Sequence, residues 1–185
     1  MFQNIEHMFN KLKIFSGASL KMLSVLALDP MRAFVQRELA KEAGVSVGSA
    51  SENLPALIGL GLVHREKRGK VYLHRYNAES VVARQFKVLI NVIELQDLVE
   101  SLKPYVKRVV LYGSTASGTD VKDSDIDLFV LATDKKEATA KVNRYKTDRW
   151  LSPLIVDVNE FTLLRKQDAP LYEEIQKGIV LWETE

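Results

Sequence analysis

Two aspartates two residues apart, Asp125 and Asp127, open a stretch that is otherwise apolar, Ile126-Asp127-Leu128-Phe129-Val130. In an extended strand, side chains alternate between faces. Both carboxylates therefore share one face, while Ile126, Leu128 and Val130 turn the other way, toward a core. Two carboxylates side by side repel unless a cation lies between them. A pair of oxygen donors suits a hard divalent ion such as Mg²⁺, which commonly shares its ligands with substrate phosphates. A third aspartate, Asp157, stands in Leu154-Ile155-Val156-Asp157-Val158, where β-branched neighbours make a carboxylate out of place by propensity. It is expected beside the first two. Upstream, Tyr112-Gly113-Ser114 ends an apolar run. Gly113 would let the backbone come close to a ligand. Ser114 sits where a helix would begin, so its hydroxyl and the following N–H groups could hold a phosphate.

Together these residues suit in-line transfer at phosphorus. Asp125 and Asp127 would bind one or two Mg²⁺ that neutralise a nucleoside triphosphate, ATP or another, and its leaving pyrophosphate. Asp157 would help hold the second ion and take the proton of the attacking hydroxyl. Each feature alone has a plainer reading: a turn at Gly113-Ser114, a solvated strand end at Asp125 and Asp127, a cap or lysine partner at Asp157.

The elements that must position these groups alternate in type. Strands are expected over 106–112, 126–132 and 154–158. Helices are expected over 135–150, 161–165 and 171–177, and a long amphipathic helix over 80–102 ends at Pro104. That helix either connects two domains or packs on one of them.

Gly113-Ser114, ten intervening residues, Asp125-Ile126-Asp127 and then Asp157 resemble the nucleotidyltransferase superfamily related to DNA polymerase β. The short spacing is similar to its minimal, antitoxin-type branch, as is the tail Pro170–Ile175 through Gly178–Leu181; the resemblance covers Val106 to Trp182. It implies that Gly113 and Ser114 contact the triphosphate and that Asp125, Asp127 and Asp157 bind Mg²⁺. It also implies a HEPN-type toxin as partner, with AMP transferred onto it in some members. Many members have Arg where this chain has Ser117, so a phosphate contact is expected to be missing.

The first half reads as helix 20–28, short strand 34–36, helix 37–43 closed by Gly44, helix from Ser46 or Ser49 to Gly59, then two strands around Glu66-Lys67-Arg68-Gly69. This order resembles a winged helix-turn-helix, and implies double-stranded DNA as partner. Ser49, Ser51 and Asn53 on the second helix of the motif could reach phosphates or base edges. That helix carries no Lys or Arg, and Pro55 should kink it. Arg65, Lys67, Arg68 and Lys70 crowd the hairpin with His64, His74 and Arg75, where they could contact phosphates or be merely solvated. Tyr72 and Tyr76 could instead serve a protein partner. Residues 1–79 hold 11 Lys/Arg against 7 Asp/Glu, which leaves 15 against 17 for the rest.

The expected fold class is thus α+β: a winged helix-turn-helix over 1–79, a connecting helix over 80–103 and a small mixed-sheet nucleotidyltransferase domain over 104–185. A DNA-binding regulator that senses nucleotide without catalysis, or an antitoxin that acts by binding, remains an alternative. The 185 residues, 46% apolar and 27% charged, exclude a largely disordered chain. The lack of cysteine excludes disulfides and thiolate metal sites. No apolar run approaches the roughly 18 residues of a membrane span, and a cytoplasmic setting is expected. His7, His64 and His74 lack metal-ligand spacing, Trp150 and Trp182 are expected to pack, and the stripe Phe2, Ile5, Met8, Phe9, Leu12 is either core or the seam of a homodimer.

Overall fold

A computed structural model describes residues 16–184, which divide into two compact units meeting in the chain between Arg84 and Gln85. The helix expected over residues 2–15, with His7, lies outside the described residues.

In the first unit Ser16 starts helix α1 (Gly17–Leu28), its hydroxyl accepting from the Ser19 N–H at 3.2 Å; this local cap begins the helix ahead of the expected Leu20. Strand β1 (Phe34–Val35) runs directly into α2 (Gln36–Glu42). Ser46 caps α3 (Val47–Gly59) through the Ser49 N–H at 3.0 Å. Helix α3 continues through Pro55, which removes only the bond to the Ser51 carbonyl. Strands β2 (Val63–Arg68) and β3 (Val71–Tyr76) pair antiparallel, and β1 joins the free side of β3. The turn is Gly69-Lys70 rather than four residues, because Gly69 adopts φ 59° and a glycine first in a two-residue turn closes a hairpin. Met22, Leu26, Leu39, Leu54, Leu57 and Leu62 form a buried core beneath these elements.

The second unit receives Leu95, Leu98, Val99 and Leu102 from helix α4 (Val81–Leu102), spaced so that they lie on one helical face. A 3₁₀ turn at Lys103–Tyr105, with Pro104 at its start, ends α4. Strand β4 (Val106–Tyr112), the single turn α5 (Gly113–Ser117), strand β5 (Ile126–Ala132) and helix α6 (Lys135–Arg144) follow. Strand β6 (Leu151–Val156), helices α7 (Val158–Gln167) and α8 (Ala169–Lys177) and strand β7 (Ile179–Glu183) complete it. The sheet order is β6-β5-β4-β7, with β5 parallel to β6 and β4 antiparallel to both its neighbours. The mixed α and β content agrees with the expected class. One sheet face packs Val109, Leu111, Leu128 and Val130 against α4 and α6. The other packs Val110, Phe129 and Val156 against Phe161, Leu164, Leu171 and Ile175 of α7 and α8.

The boundaries nearest the candidate site differ from expectation. Helix α6 stops at Arg144 instead of Trp150 because the next residues bond elsewhere: Tyr145 to the Glu94 carbonyl, Thr147 to the Glu94 carboxylate at 2.6 Å, Arg149 to Asp120 at 2.9 Å. Strand β6 starts at Leu151 rather than Leu154 and ends before Asp157. Residues 179–183, for which the sequence predicts no element, pair with β4. Among the described residues no helix is long and apolar enough to cross a membrane.

Candidate functional site

Strand register aligns Tyr112, Asp127 and Ser152 in one row across β4, β5 and β6. Asp125 precedes β5 by one residue and is exposed; by strand parity it falls on the face of Asp127. Gly113 then turns away from β4 with φ 69°, a left-handed conformation that L side chains rarely adopt. A Cβ built on it would stand 2.4 Å from the Asp127 Oδ2, so the turn is pressed directly against that carboxylate. Ser114 is half-buried in α5, and its carbonyl accepts from the Ser117 hydroxyl at 3.0 Å and the Thr119 N–H at 3.0 Å. The expected juxtaposition of Gly113-Ser114 with Asp127 is therefore found.

Asp157 is not found there. β5 and β6 run parallel, with Asp127 opposite Ser152 and Leu131 opposite Val156. Asp157 is thus displaced from the site by about five residues of strand, roughly 16 Å. Its Oδ1 accepts the Asn159 N–H at 2.8 Å and the Glu160 N–H at 2.9 Å, and Glu160 returns a bond to its backbone. Asp157 is the N-cap of α7 in a capping box. The placement expected for it as a third metal ligand and proton acceptor is corrected: the β6 neighbour of Asp127 is the hydroxyl of Ser152, which hydrogen-bonds the Asp127 carboxylate.

Helix α8 supplies two groups that the sequence does not signal. Glu174 and Lys177 line a cleft of about 310 Å³ with Gly113, Ala116, Ser117 and Gly178. Burial foremost, then the charges of Glu174 and Asp125, raises the pKa of Asp127, against the opposing bond from Ser152. Burial foremost, with Asp127 and Glu174, also raises that of Tyr112. The site thus collects negative charge. Lys177 brings a cation to the cleft that Ser117 also lines, where an arginine was expected to be missing. Ser117 itself bonds within its own turn, to the Gly113 carbonyl at 3.3 Å and the Thr119 hydroxyl at 2.8 Å. The only sequence trace of Glu174 and Lys177 is their place on an amphipathic helix, which is not a chemical signature. Among the described residues, no three His, Asp or Glu side chains converge into a cage for a metal ion.

A buried charged network fixes the segment that leads into Asp125. The Asp120 side chain is 1% exposed and meets Lys87 Nζ at 3.4 Å and Arg149 Nη1 at 2.9 Å. Asn91 donates to Asp120 Oδ1 at 3.1 Å and to the Thr115 carbonyl at 2.9 Å, so α4 also holds the turn after Gly113. Trp150 does not pack as expected: it is 75% exposed.

In the first unit Arg65, Lys67, Arg68 and Lys70 are all exposed on the hairpin, and the Arg65 guanidinium lies 4.7 Å over the Tyr72 ring. His74 and Tyr76 turn inward, which removes them from that surface; the Tyr76 hydroxyl donates to the Ala83 carbonyl at 2.5 Å. Ser51 is exposed, and Ser49 is half-buried. Asn53 is committed to the fold: its Oδ1 accepts from Ser16 and Ser19, both at 2.8 Å, and its Nδ2 donates to the Ser49 carbonyl at 2.8 Å. It ties α3 to α1, which corrects the expectation that it reaches DNA.

Residues 92–181, the sheet with its flanking helices, match the nucleotidyltransferase domain family. That match lies in the second half of the chain, and it supports the expected class of enzyme, transfer of a nucleotidyl group. A solved structure from Sulfolobus solfataricus, described provisionally as a nucleotidyltransferase, is similar at 16% identity over 54% of this chain and 86% of that one, with a TM-score of 0.37. No curated protein matches the sequence.

Proposed function

We propose that the second unit moves a nucleoside monophosphate, AMP first among the candidates, from a Mg²⁺-bound nucleoside triphosphate to a hydroxyl acceptor. The contact of Gly113 with Asp127 carries this reading, because it puts a turn suited to phosphate against an acidic group. The donor set fits a hard divalent cation. Asp125, Asp127 and Ser152 offer oxygen only, and Asp127, its pKa raised first by burial and then by the charges of Glu174 and Asp125, stands among like charges that a cation would offset. Mg²⁺ bound there would supply neutralisation of the triphosphate charge.

The chain's own residues divide the rest of the work. Asp125 and Asp127 ligate, with Ser152 orienting the Asp127 carboxylate. Ser114 and the N–H groups of the α5 turn hold the terminal phosphates, and Lys177 adds a cation. The acceptor oxygen attacks the α-phosphorus, the α–β bridging bond breaks and pyrophosphate leaves. Glu174, facing Asp127, is the group placed to take the hydroxyl proton, the role first expected of Asp157. The resemblance to the antitoxin-type branch suggests a HEPN-type toxin as acceptor and partner. Mg²⁺-dependent ATP binding, measured by calorimetry on the full chain and on Asp125→Asn/Asp127→Asn, tests this. Binding that needs Mg²⁺ and disappears in the double variant is expected. Binding unchanged in that variant removes the proposed site.

A second reading treats the protein as a DNA-binding regulator that senses nucleotide. It is favoured by the hydroxyl of Ser152 where a third carboxylate would assist catalysis. It is also favoured by the four exposed cations Arg65, Lys67, Arg68 and Lys70 on a helix–helix–hairpin unit that suits a winged helix. Ser49 and Ser51 on α3 would then face the DNA. Mg-ATP binding without any AMP transfer to co-expressed proteins, together with retention on duplex DNA, would favour this reading over the first.

A further inference from the structure

Trp150 is the largest exposed apolar side chain of the second unit, and its position is fixed. Its carbonyl accepts the Ile126 N–H at 2.8 Å, which holds it one strand away from Asp125 and one residue short of the β5–β6 pairing. On its other side Arg149 is anchored by Asp120 and Asn91 at 2.9 Å each. The indole thus extends from a residue whose carbonyl is bonded to β5 and whose neighbour Arg149 is anchored through its side chain, and it is still 75% exposed. It lines a cleft of about 760 Å³ with Asn143, Lys146, Pro153 and Ser152. Ser152 is the residue bonded to Asp127, so this cleft borders the acidic site.

We infer that this cleft is the nucleobase subsite, with Trp150 as the stacking platform, an inference that rests on the nucleotidyl-transfer reading above. The row of strands sets the scale. From Gly113 on β4 to Trp150 beside β6 is two strand spacings, about 10 Å, a span that an extended nucleoside triphosphate covers. Phosphates at the Gly113 turn and Asp127 leave the base directed toward the open side of β6, where Trp150 stands. An indole face attracts any base by stacking, and purines with their larger ring gain most. Asn143 and Lys146 on the rim can meet the polar edge of the ring.

Comparing a ligand with a base and one without separates this inference from the reading beneath it. Calorimetry uses Mg-ATP and Mg-tripolyphosphate on the full chain, Trp150→Ala and Trp150→Phe. Trp150→Ala is expected to weaken ATP on the order of tenfold, Trp150→Phe to retain most of the affinity, and neither to move tripolyphosphate. With Trp182→Phe, Trp150 becomes the sole tryptophan of the chain's two, and ATP but not tripolyphosphate should change its emission. If wild type binds both ligands and Trp150→Ala weakens neither or both alike, the subsite is overturned while nucleotidyl transfer stands. If wild type binds neither, both fail.

Discussion

Replacing Gly113 by alanine should separate folding from nucleotide binding. The residue sits at φ 69°, and an L side chain in left-handed geometry costs about 1–2 kcal/mol. For a unit of this size that lowers Tm by roughly 4–16 °C. The contact with Asp127 adds a different effect. The new Cβ would lie 2.4 Å from Oδ2, 3.3 Å from Cγ and 3.5 Å from Cβ, so the carboxylate oxygen must move most and Cγ slightly. An aspartate χ2 rotates in a broad well, and turning it costs little stability. The oxygen moves by about 1 Å, however, and Mg²⁺ tolerates little departure from octahedral geometry. Affinity for Mg-ATP should therefore fall about 10–100-fold, measured by calorimetry well below the variant's Tm. Gly44→Ala is the control: its φ is 62° with nothing within 4 Å of the added Cβ, so it should carry the conformational cost and leave binding alone. If Gly113→Ala unfolds earlier as expected but binds Mg-ATP like wild type, the carboxylate pressed on that turn is not a ligand, and the proposed site is wrong.

Asp157→Ala should cost about 1 kcal/mol by loss of the α7 cap and leave Mg-ATP affinity unchanged; weaker binding in a well-folded variant would return Asp157 to the site. Asp120→Ala takes from buried Lys87 and Arg149 the carboxylate they share, while Arg149 keeps its ion pair with Glu94, so chemical denaturation should show a loss at the lower end of about 3–5 kcal/mol, and a loss below about 1 kcal/mol would show the network to be dispensable. The pKa of Asp127 is raised by burial and by Glu174 and Asp125, so its protonated form favours the metal-free fold. That contribution is complete below the carboxylate's unfolded value and disappears as pH rises through the raised folded value. Asp127→Asn should accordingly melt higher than wild type at neutral pH without metal, and an equal or lower Tm would contradict the charge argument. Lys67→Ala/Arg68→Ala should make the salt dependence of duplex DNA binding shallower, by about 0.9 in slope for each phosphate no longer neutralised, followed by fluorescence anisotropy; an unchanged slope would take the hairpin out of any DNA interface.

The strands over 106–112 and 126–132 were legible because a β-branched, aromatic or leucine run leaves little choice of element, and both match their expected limits. The same runs made Gly113, Asp125 and Asp127 readable, since strand parity fixes which side chains share a face. Legibility ended where tertiary bonds decide the local structure. Residues 145–150 have helical neighbours, yet Glu94, Asn91 and Asp120 draw Tyr145, Thr147 and Arg149 out of α6. Asn53 reads as a polar group on a recognition helix and is instead held by Ser16, Ser19 and Ser49.

The displacement of Asp157 has the same origin and bears most on function. Once α6 is cut short, β6 must begin at Leu151, and its parallel register then puts Ser152, not Asp157, beside Asp127. The register thus leaves a hydroxyl beside Asp127 in the candidate site, with the Asp157 carboxylate five residues further along. The charge is made up from the opposite layer. Gly178 lets the chain pass close to β4, since a Cβ there would stand 2.5 Å from the Leu111 carbonyl, and this holds the end of α8 near the Gly113 turn. Glu174 and Lys177 reach the cleft from that helix, one of each sign. The acidic member joins the cluster around Asp127, and the basic one stands in the cleft beside Ser117, where the proposed function gives it a phosphate to meet. Lys177→Ala should therefore weaken triphosphate binding in a way that restoring arginine at Ser117 could offset, a compensation expected only if both side chains face the same phosphates.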